Sequence, residues 1–198
     1  MALIPLKDTS VILASQAPWR SNILKQLGIA HQCYDHQYNE PKYEYGSIER
    51  FVEKIACEKA LSLQFSFPNS LIIAADQLCY IGNEVLYKPG SKEAAIKQLE
   101  LLNNKQHKLI CGVAVWYNGS IKSEIDIAHL RMRDLSIPEI EAYVEKDKPW
   151  DCAGSYKIES LGASLFETLQ VDDPTTIIGL PSAKLISILR AFGFSNLL

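Results

Sequence analysis

The chain of 198 residues carries 20 lysines and arginines against 23 aspartates and glutamates, a net charge of −3. Its 47% hydrophobic and 22% charged residues exclude general disorder and fit a globular protein. An isoelectric point of 5.8 excludes a nucleic-acid binder held by bulk charge, so the expected partner is a small molecule, with no nucleic acid involved.

At roughly 150 residues per domain, the length predicts a single domain over residues 1–198. A chain of this size buries about 70% of its unfolded surface and needs no disulfide or metal staple. Five cysteines at 33, 57, 79, 111 and 152 form neither a zinc knuckle nor a CxxC pair. That odd count suits reduced thiols and predicts a cytoplasmic protein. Cys79 and Cys111 lie in apolar segments and are expected in the core. No apolar run approaches the ~20 residues of a membrane span, so no membrane partner is expected. The start, with Lys7 ahead of Val11-Ile12-Leu13-Ala14, imitates a signal peptide, but its apolar stretch is short and Asp8 interrupts it.

In chain order, Ser10–Ala14 reads as a buried strand. Ser15-Gln16-Ala17-Pro18 then turns the chain into a helix over Trp19–Leu27, closed by Gly28. Pro18 suits a first helical position because its missing N–H would be unpaired there anyway. Ser47–Leu63 carries Ile48, Phe51, Val52, Ile55, Ala56 and Ala60 at helical spacing. Leu71–Ala75 is a second buried strand, ending at Asp76-Gln77. Ser91 caps a helix to Leu102 that turns Ala94, Ala95, Leu99 and Leu102 inward. Leu109–Tyr117 and Ile121–Leu130 form a hairpin about Asn118-Gly119. Ile137–Lys146 is a helix, Gly154–Leu169 is irregular or strand-like, and Pro181–Phe192 is the last helix. The class is mixed α/β.

Several residues invite chemistry. Ser15–Arg20 follows a strand and opens a helix, whose free N–H groups and dipole favour an anion. Arg20 adds a planar fork suited to phosphate, although a plain strand-to-helix turn with a surface arginine explains the same residues. Asp76, at the carboxyl end of a strand, is placed for a metal or for general-base work, or simply caps a loop. Glu40 lies in a loop, and with Asp76 would make a carboxylate pair for Mg²⁺ or Mn²⁺. Lys59 and Lys88 sit beside turns, where solvated lysines are the default. Histidines 31, 36, 107 and 129 form no HxxxH or HExxH pattern and are expected mostly on the surface or in loops. No GxSxG and no P-loop is present.

Taken in order, these segments resemble the Maf family of nucleotide pyrophosphatases. The resemblance is carried by VILASQAPWRSNILKQLGI, the Glu40 loop, EKAL at 58–61, IIAADQ at 72–77 and KPGSKEAAIKQLELL at 88–102. HKLICGVAVW at 107–116, DCAGSYKIESLGASLFE at 151–167 and DDPTTIIGLPSAKL at 172–185 complete it. Trp19 in place of an arginine, with the Cys152–Glu167 segment, is most similar to the subfamily that hydrolyses 7-methyl-GTP. Two positions depart from the family pattern: Ala17 replaces a serine, and Asn39 replaces the aspartate of an Asp-Glu pair.

The resemblance implies an elongated mixed β-sheet with surrounding helices and a central cleft, of the inosine-triphosphatase type, commonly a homodimer. It implies hydrolysis of a nucleotide between its α- and β-phosphates with a divalent metal cation, Mg²⁺ or Mn²⁺. Asp76 would be the proton acceptor, with Glu40 helping to hold the metal. Ser15, Arg20, Lys59 and Lys88 would hold phosphate, while Trp19, Gln77 and Glu159 would set substrate choice. A tryptophan face suits the cationic 7-methylguanine base, and a carboxylate such as Glu159 suits its N1–H and N2–H donors. The same reaction on dTTP, UTP or CTP, and a non-catalytic regulator of cell division, are the alternatives.

Overall fold

The computed structural model describes residues 3–198, which form two compact units. The first takes the described residues up to Asp76, with Cys111–Asp126 and Asp173–Leu198; the second takes Gln77–Ile110 and Ile127–Asp172.

In the first unit, β1 (Ile4–Pro5) precedes β2 (Val11–Leu13), α1 (Pro18–Gln26), β3 (Gln32–Cys33) and α2 (Ile48–Leu61). Strand β4 (Leu71–Ile81) begins here and β6 (Gln106–Tyr117) ends here. The start of β7 (Ser120–Met132), then α5 (Thr175–Ile178), α6 (Ser182–Ala191) and β9 (Phe194–Ser195) complete the unit. Its strands lie in the order β3-β2-β4-β6-β7, and β2 pairs in parallel with both β3 and β4. The expected Asn118-Gly119 turn joins β6 to β7, with φ of 46° and 76°. Both residues take the left-handed values that a two-residue hairpin loop requires.

Both faces of this sheet are buried, and strand alternation sorts its residues between them. Val11, Leu13, Leu71, Ile73, Ala75, Val113 and Val115 pack with Ile23 and Leu24 of α1 and Leu185, Ile188 and Leu189 of α6. Ile12, Ala14, Ile72, Ala74, Ala114 and Trp116 pack with Ala56, Ala60 and Leu63 on the α2 side. On that second face Ala14, Ala74 and Ala114 alternate with the larger Ile12, Ile72 and Trp116, and the alanines let α2 lie close to the sheet. A Cβ at Gly112 would stand 3.1 Å from the Val52 carbonyl oxygen. Helix α2 starts at the Ser47 cap, whose side chain accepts from Arg50 N–H.

In the second unit, β5 (Glu84–Leu86) pairs antiparallel with the end of β4, and β8 (Phe166–Gln170) with the end of β7. Helices α3 (Lys92–Leu102) and α4 (Ile137–Asp147) belong here, capped by Ser91 and by a Ser136–Glu139 capping box. Gly154, at φ 76°, passes against Cys79, where a Cβ would meet Sγ at 2.8 Å. The expected strand over Leu71–Ala75 is longer than the sequence suggested and runs on to Ile81. Pairing with β5 sustains it, so Asp76 and Gln77 lie within a strand and not at its end. The irregular stretch from Gly154 resolves into two 3-10 turns, Ala153–Ser155 and Leu161–Leu165, followed by β8.

Not all the histidines lie on the surface. His107 sits on β6, 3% exposed, bonded to the Tyr156 hydroxyl at 3.0 Å and packed against the Tyr156 and Phe166 rings. Burial holds its pKa down at about 4, against the ordinary 6.5. The unfolded chain therefore takes up this proton more readily than the folded chain, and stability falls as pH drops from 6.5 toward 4. Urea unfolding of the wild type should lose about 2 kcal/mol between pH 7 and pH 5 from this group. In His107→Gln that part of the slope should be flat; an unchanged slope would show that another group carries it.

Candidate functional site

The first unit places two basic side chains where β2 and β4 run side by side. The Ala14 N–H donates to the Ile73 carbonyl at 2.8 Å, so Ser15 follows β2 beside the stretch of β4 that carries Asp76. Parity then decides which helix each residue meets. Ile72 and Ala74 face α2, and Asp76 continues their register.

Lys59 projects from α2 into that register. Its Nζ donates to Asp76 Oδ1 at 2.7 Å and to Glu40 Oε1 at 2.9 Å. Lys59 is 4% exposed and Asp76 6%, so this is a buried ion pair extended by a half-exposed carboxylate. The default of a solvated lysine fails because the alanine-lined face brings α2 so close that Lys59 meets the sheet before it meets water. His36 Nε2 stands 3.2 Å from the same Glu40 oxygen. Partial burial alone would raise the Glu40 pKa, but the His36 hydrogen bond and the Lys59 charge outweigh it and hold it at about 2. This carboxylate pairing therefore contributes stability above the ordinary 4.5 and loses it as pH falls toward 2.

Arg20 is built differently. Its Nε donates to the Gly179 carbonyl at 2.9 Å and its Nη1 to Ser15 Oγ at 3.3 Å. Ser15 Oγ also accepts from the Ala17 N–H at 3.2 Å, which closes the turn into α1. Pro18 opens that helix and half-buried Trp19 follows, directly before Arg20. The structure thus joins Lys59, Glu40 and Asp76 in one cluster and Ser15 with Arg20 in another, both in the first unit.

Gln77, Lys88 and Glu159 belong to the second unit. Gln77 is partly buried on β4. Lys88 is exposed beyond β5, and the neighbouring Tyr87 carbonyl accepts from Gln98, which in turn accepts from Ser155 Oγ at 2.6 Å. Glu159 is exposed in a tight loop. Within it, the Lys157 carbonyl accepts from the Ser160 and Gly162 N–H groups, while Lys157 Nζ caps α4 through the Asp147 and Lys148 carbonyls.

A divalent cation was expected at Glu40 and Asp76. Among the described residues no group of three or more His, Cys, Asp or Glu gathers closely enough to hold a metal. Glu40 and Asp76 nonetheless offer two hard oxygen donors to one ammonium, and this donor set fits Mg²⁺ or Mn²⁺ completed by ligand oxygens. Thiolate chemistry is disfavoured at Cys79 and Cys111, which burial pushes up to about 12.

His36, Asp126, Asp173, Thr176 and Gly179 also join these contacts, although the sequence assigns none of them a role. Gly179 meets Arg20 across 159 positions, and no local pattern announces that contact. Asp126 did leave a signal. It occupies the buried register of β7 ahead of Ala128, Leu130 and Met132, where alternation calls for an apolar side chain.

A family model described as Maf-like protein matches residues 10–192. The chain is 38% identical over 188 residues to the 7-methyl-GTP pyrophosphatase of Alcanivorax borkumensis, covering 93% of this chain and 94% of that protein. It is 35% identical over 194 residues to the 7-methyl-GTP pyrophosphatase of Vibrio parahaemolyticus, covering 97% and 100%. Among solved structures, the Staphylococcus aureus Ham1 protein matches with a TM-score of 0.53 at 17% identity, over 92% of this chain and 97% of that one. The mixed α/β fold is therefore shared with that protein.

The buried pair sets a stability test. Asp76→Leu should cost roughly 3–5 kcal/mol in urea unfolding, because Lys59 keeps only the half-exposed Glu40. Adding Lys59→Met should recover most of that loss; a double variant no more stable than Asp76→Leu would show that Lys59 does not depend on Asp76.

Proposed function

This chain belongs to the Maf-like protein family, and from that premise we propose that it hydrolyses 7-methyl-GTP to 7-methyl-GMP and pyrophosphate. The observation that carries this reading is the buried Lys59–Asp76 pair with Glu40, together with an Arg20 whose protein partners are the neutral oxygens of Ser15 and Gly179.

Asp76 is the general base in this reading: its carboxylate accepts a proton from the attacking water. Lys59 moves part of its charge from the two carboxylates to phosphate oxygens as the nucleotide arrives. Arg20 and Ser15 receive the phosphates at the opening of α1, where the helix dipole adds to the guanidinium charge. These cations offset the charge that grows as pyrophosphate departs. A divalent cation held by Glu40 and Asp76 would supply further polarisation of the phosphate. By family likeness, Lys88 is assigned to phosphate and Gln77 and Glu159 to the base. Trp19 offers its ring face to the positively charged 7-methylguanine. All five cysteines are free thiols, which suits action in the cytoplasm.

The test is release of pyrophosphate and monophosphate from 7-methyl-GTP, GTP, dTTP, UTP, CTP and ITP with Mg²⁺ or Mn²⁺. We expect 7-methyl-GTP to be turned over best, and Asp76→Asn to lower kcat by roughly 100-fold or more. Trp19→Arg should cut the preference for 7-methyl-GTP over GTP by roughly 2- to 30-fold, the range of a cation–π contact. Turnover confined to dTTP or UTP would keep the reaction and refute the role of Trp19. No turnover with either metal would refute the reaction.

A further inference from the structure

Asp126 is a carboxylate at a core position of a strand, 7% exposed, and the catalytic scheme does not use it. A buried charge is costly unless it is paired or hydrogen-bonded. Its Oδ2 accepts from the Thr176 hydroxyl at 2.5 Å, and Thr176 is itself fully buried. Thr176 lies in α5, a single turn of four residues. Asp173 fastens the beginning of that turn, accepting from the Thr175 N–H and hydroxyl and from Ser182 Oγ and the Ala183 N–H. The turn ends at Gly179, φ 114°, whose N–H closes back on the Thr175 and Thr176 carbonyls. The Gly179 carbonyl is the one that receives Arg20 Nε. A chain of contacts inside the first unit thus runs from β7 through α5 to the guanidinium.

The charges along this chain are arranged in a definite way. Arg20 forms no ion pair among the described residues; its two hydrogen-bond partners are a hydroxyl and a carbonyl. A carboxylate placed directly against the guanidinium would hold it equally well, but would compete with phosphate for the same fork. Binding through a neutral carbonyl fixes the geometry and leaves the positive charge unspent. Two of the five N–H donors are committed to protein in this way, and phosphate falls to the other three.

We propose that Asp126 is a positioning residue for phosphate binding: through Thr176 it fixes the α5 turn whose Gly179 carbonyl aims Arg20, and it stays one step removed so that the guanidinium keeps its charge for the ligand. This rests on the reading that Arg20 binds phosphate.

A double-mutant cycle tests it, with inorganic pyrophosphate in Mg²⁺ buffer as the calorimetric probe and thermal melting as the check on folding. Thr176→Val should weaken pyrophosphate binding about tenfold, and Thr176→Ser, which keeps the hydroxyl, should restore it. In an Arg20→Met background, already weakened, Thr176→Val should add nothing. If Thr176→Val does not fold, Asp126→Asn replaces it; loss of the charge-assisted bond should weaken binding about threefold, again with no effect in Arg20→Met. Equal losses in both backgrounds would overturn the inference while leaving Arg20 as a phosphate ligand. Undiminished binding by folded Thr176→Val, or by Asp126→Asn where that variant stands in, would also overturn it. Pyrophosphate binding unaffected by Arg20→Met would instead refute the phosphate role of Arg20, and the positioning role with it.

Discussion

The close approach of α2 to the alanine-lined face of the sheet is the constraint on which the rest of the first unit turns. Ala14, Ala74 and Ala114 on the strands meet Ala56 and Ala60 on the helix. Gly112 tolerates no side chain against Val52 without displacing its neighbour. A helix so near the sheet leaves Lys59 only 4% exposed, and an ammonium in that position requires anions. Asp76 is supplied by the same alternation that sets Ile72 and Ala74 against α2, and Glu40 comes in from the loop ahead of the helix. Packing of small apolar residues therefore creates the electrostatics of the site.

Two cations of the first unit are consequently held by opposite means. Lys59 is held by charge, its ammonium shared between two carboxylates. Arg20 is held by shape, its guanidinium resting on a carbonyl and a hydroxyl. A ligand that carries several negative charges competes with Asp76 and Glu40 for Lys59, but meets no rival carboxylate at Arg20. In the proposed reading the two sites would differ in what they ask of a phosphate: Arg20 would bind without releasing a partner, whereas Lys59 would give up part of one pairing to make another. Under that proposal the exchange would free carboxylate oxygens as phosphate oxygens arrive, and these are the donors a hard cation prefers.

Most elements could be located from the sequence because their signals are local. Ser47 and Ser91 mark helix starts, Pro18 and Gly28 bracket α1, and Asn118-Gly119 makes the hairpin turn. Strand β4 runs past its expected end because it pairs with β5, a short strand ahead of Lys88 whose partner the local pattern does not specify. The candidate site divides along the same line. Asp76 and the Ser15–Arg20 turn were visible as residues of the right type beside strands. The burial of Lys59 was not, since a lysine on a helix reads as solvated until the opposite surface is known to be alanine. His107 misled for the same reason: its cradle of Tyr156 and Phe166 comes from 49 and more residues away.

The departure at Asn39 bears on the charge of this cluster rather than on its assembly. Asn39 is exposed, and neither contact of the Lys59 ammonium involves it. With Glu40 and Asp76 ionised, the trio carries one net negative charge, enough to seat the lysine and leave a modest attraction for a further cation. An aspartate at 39 would add a second negative charge next to Glu40 and increase the pull on any metal, while increasing repulsion toward a triphosphate. If the cluster receives a nucleotide as proposed, asparagine shifts that balance toward it. The same logic governs Arg20, where Asp126 is linked to the guanidinium only through Thr176 and a backbone carbonyl. In both places negative charge is sufficient to hold a cation in position but short of neutralising it, which is what the proposed approach of a polyanion would require.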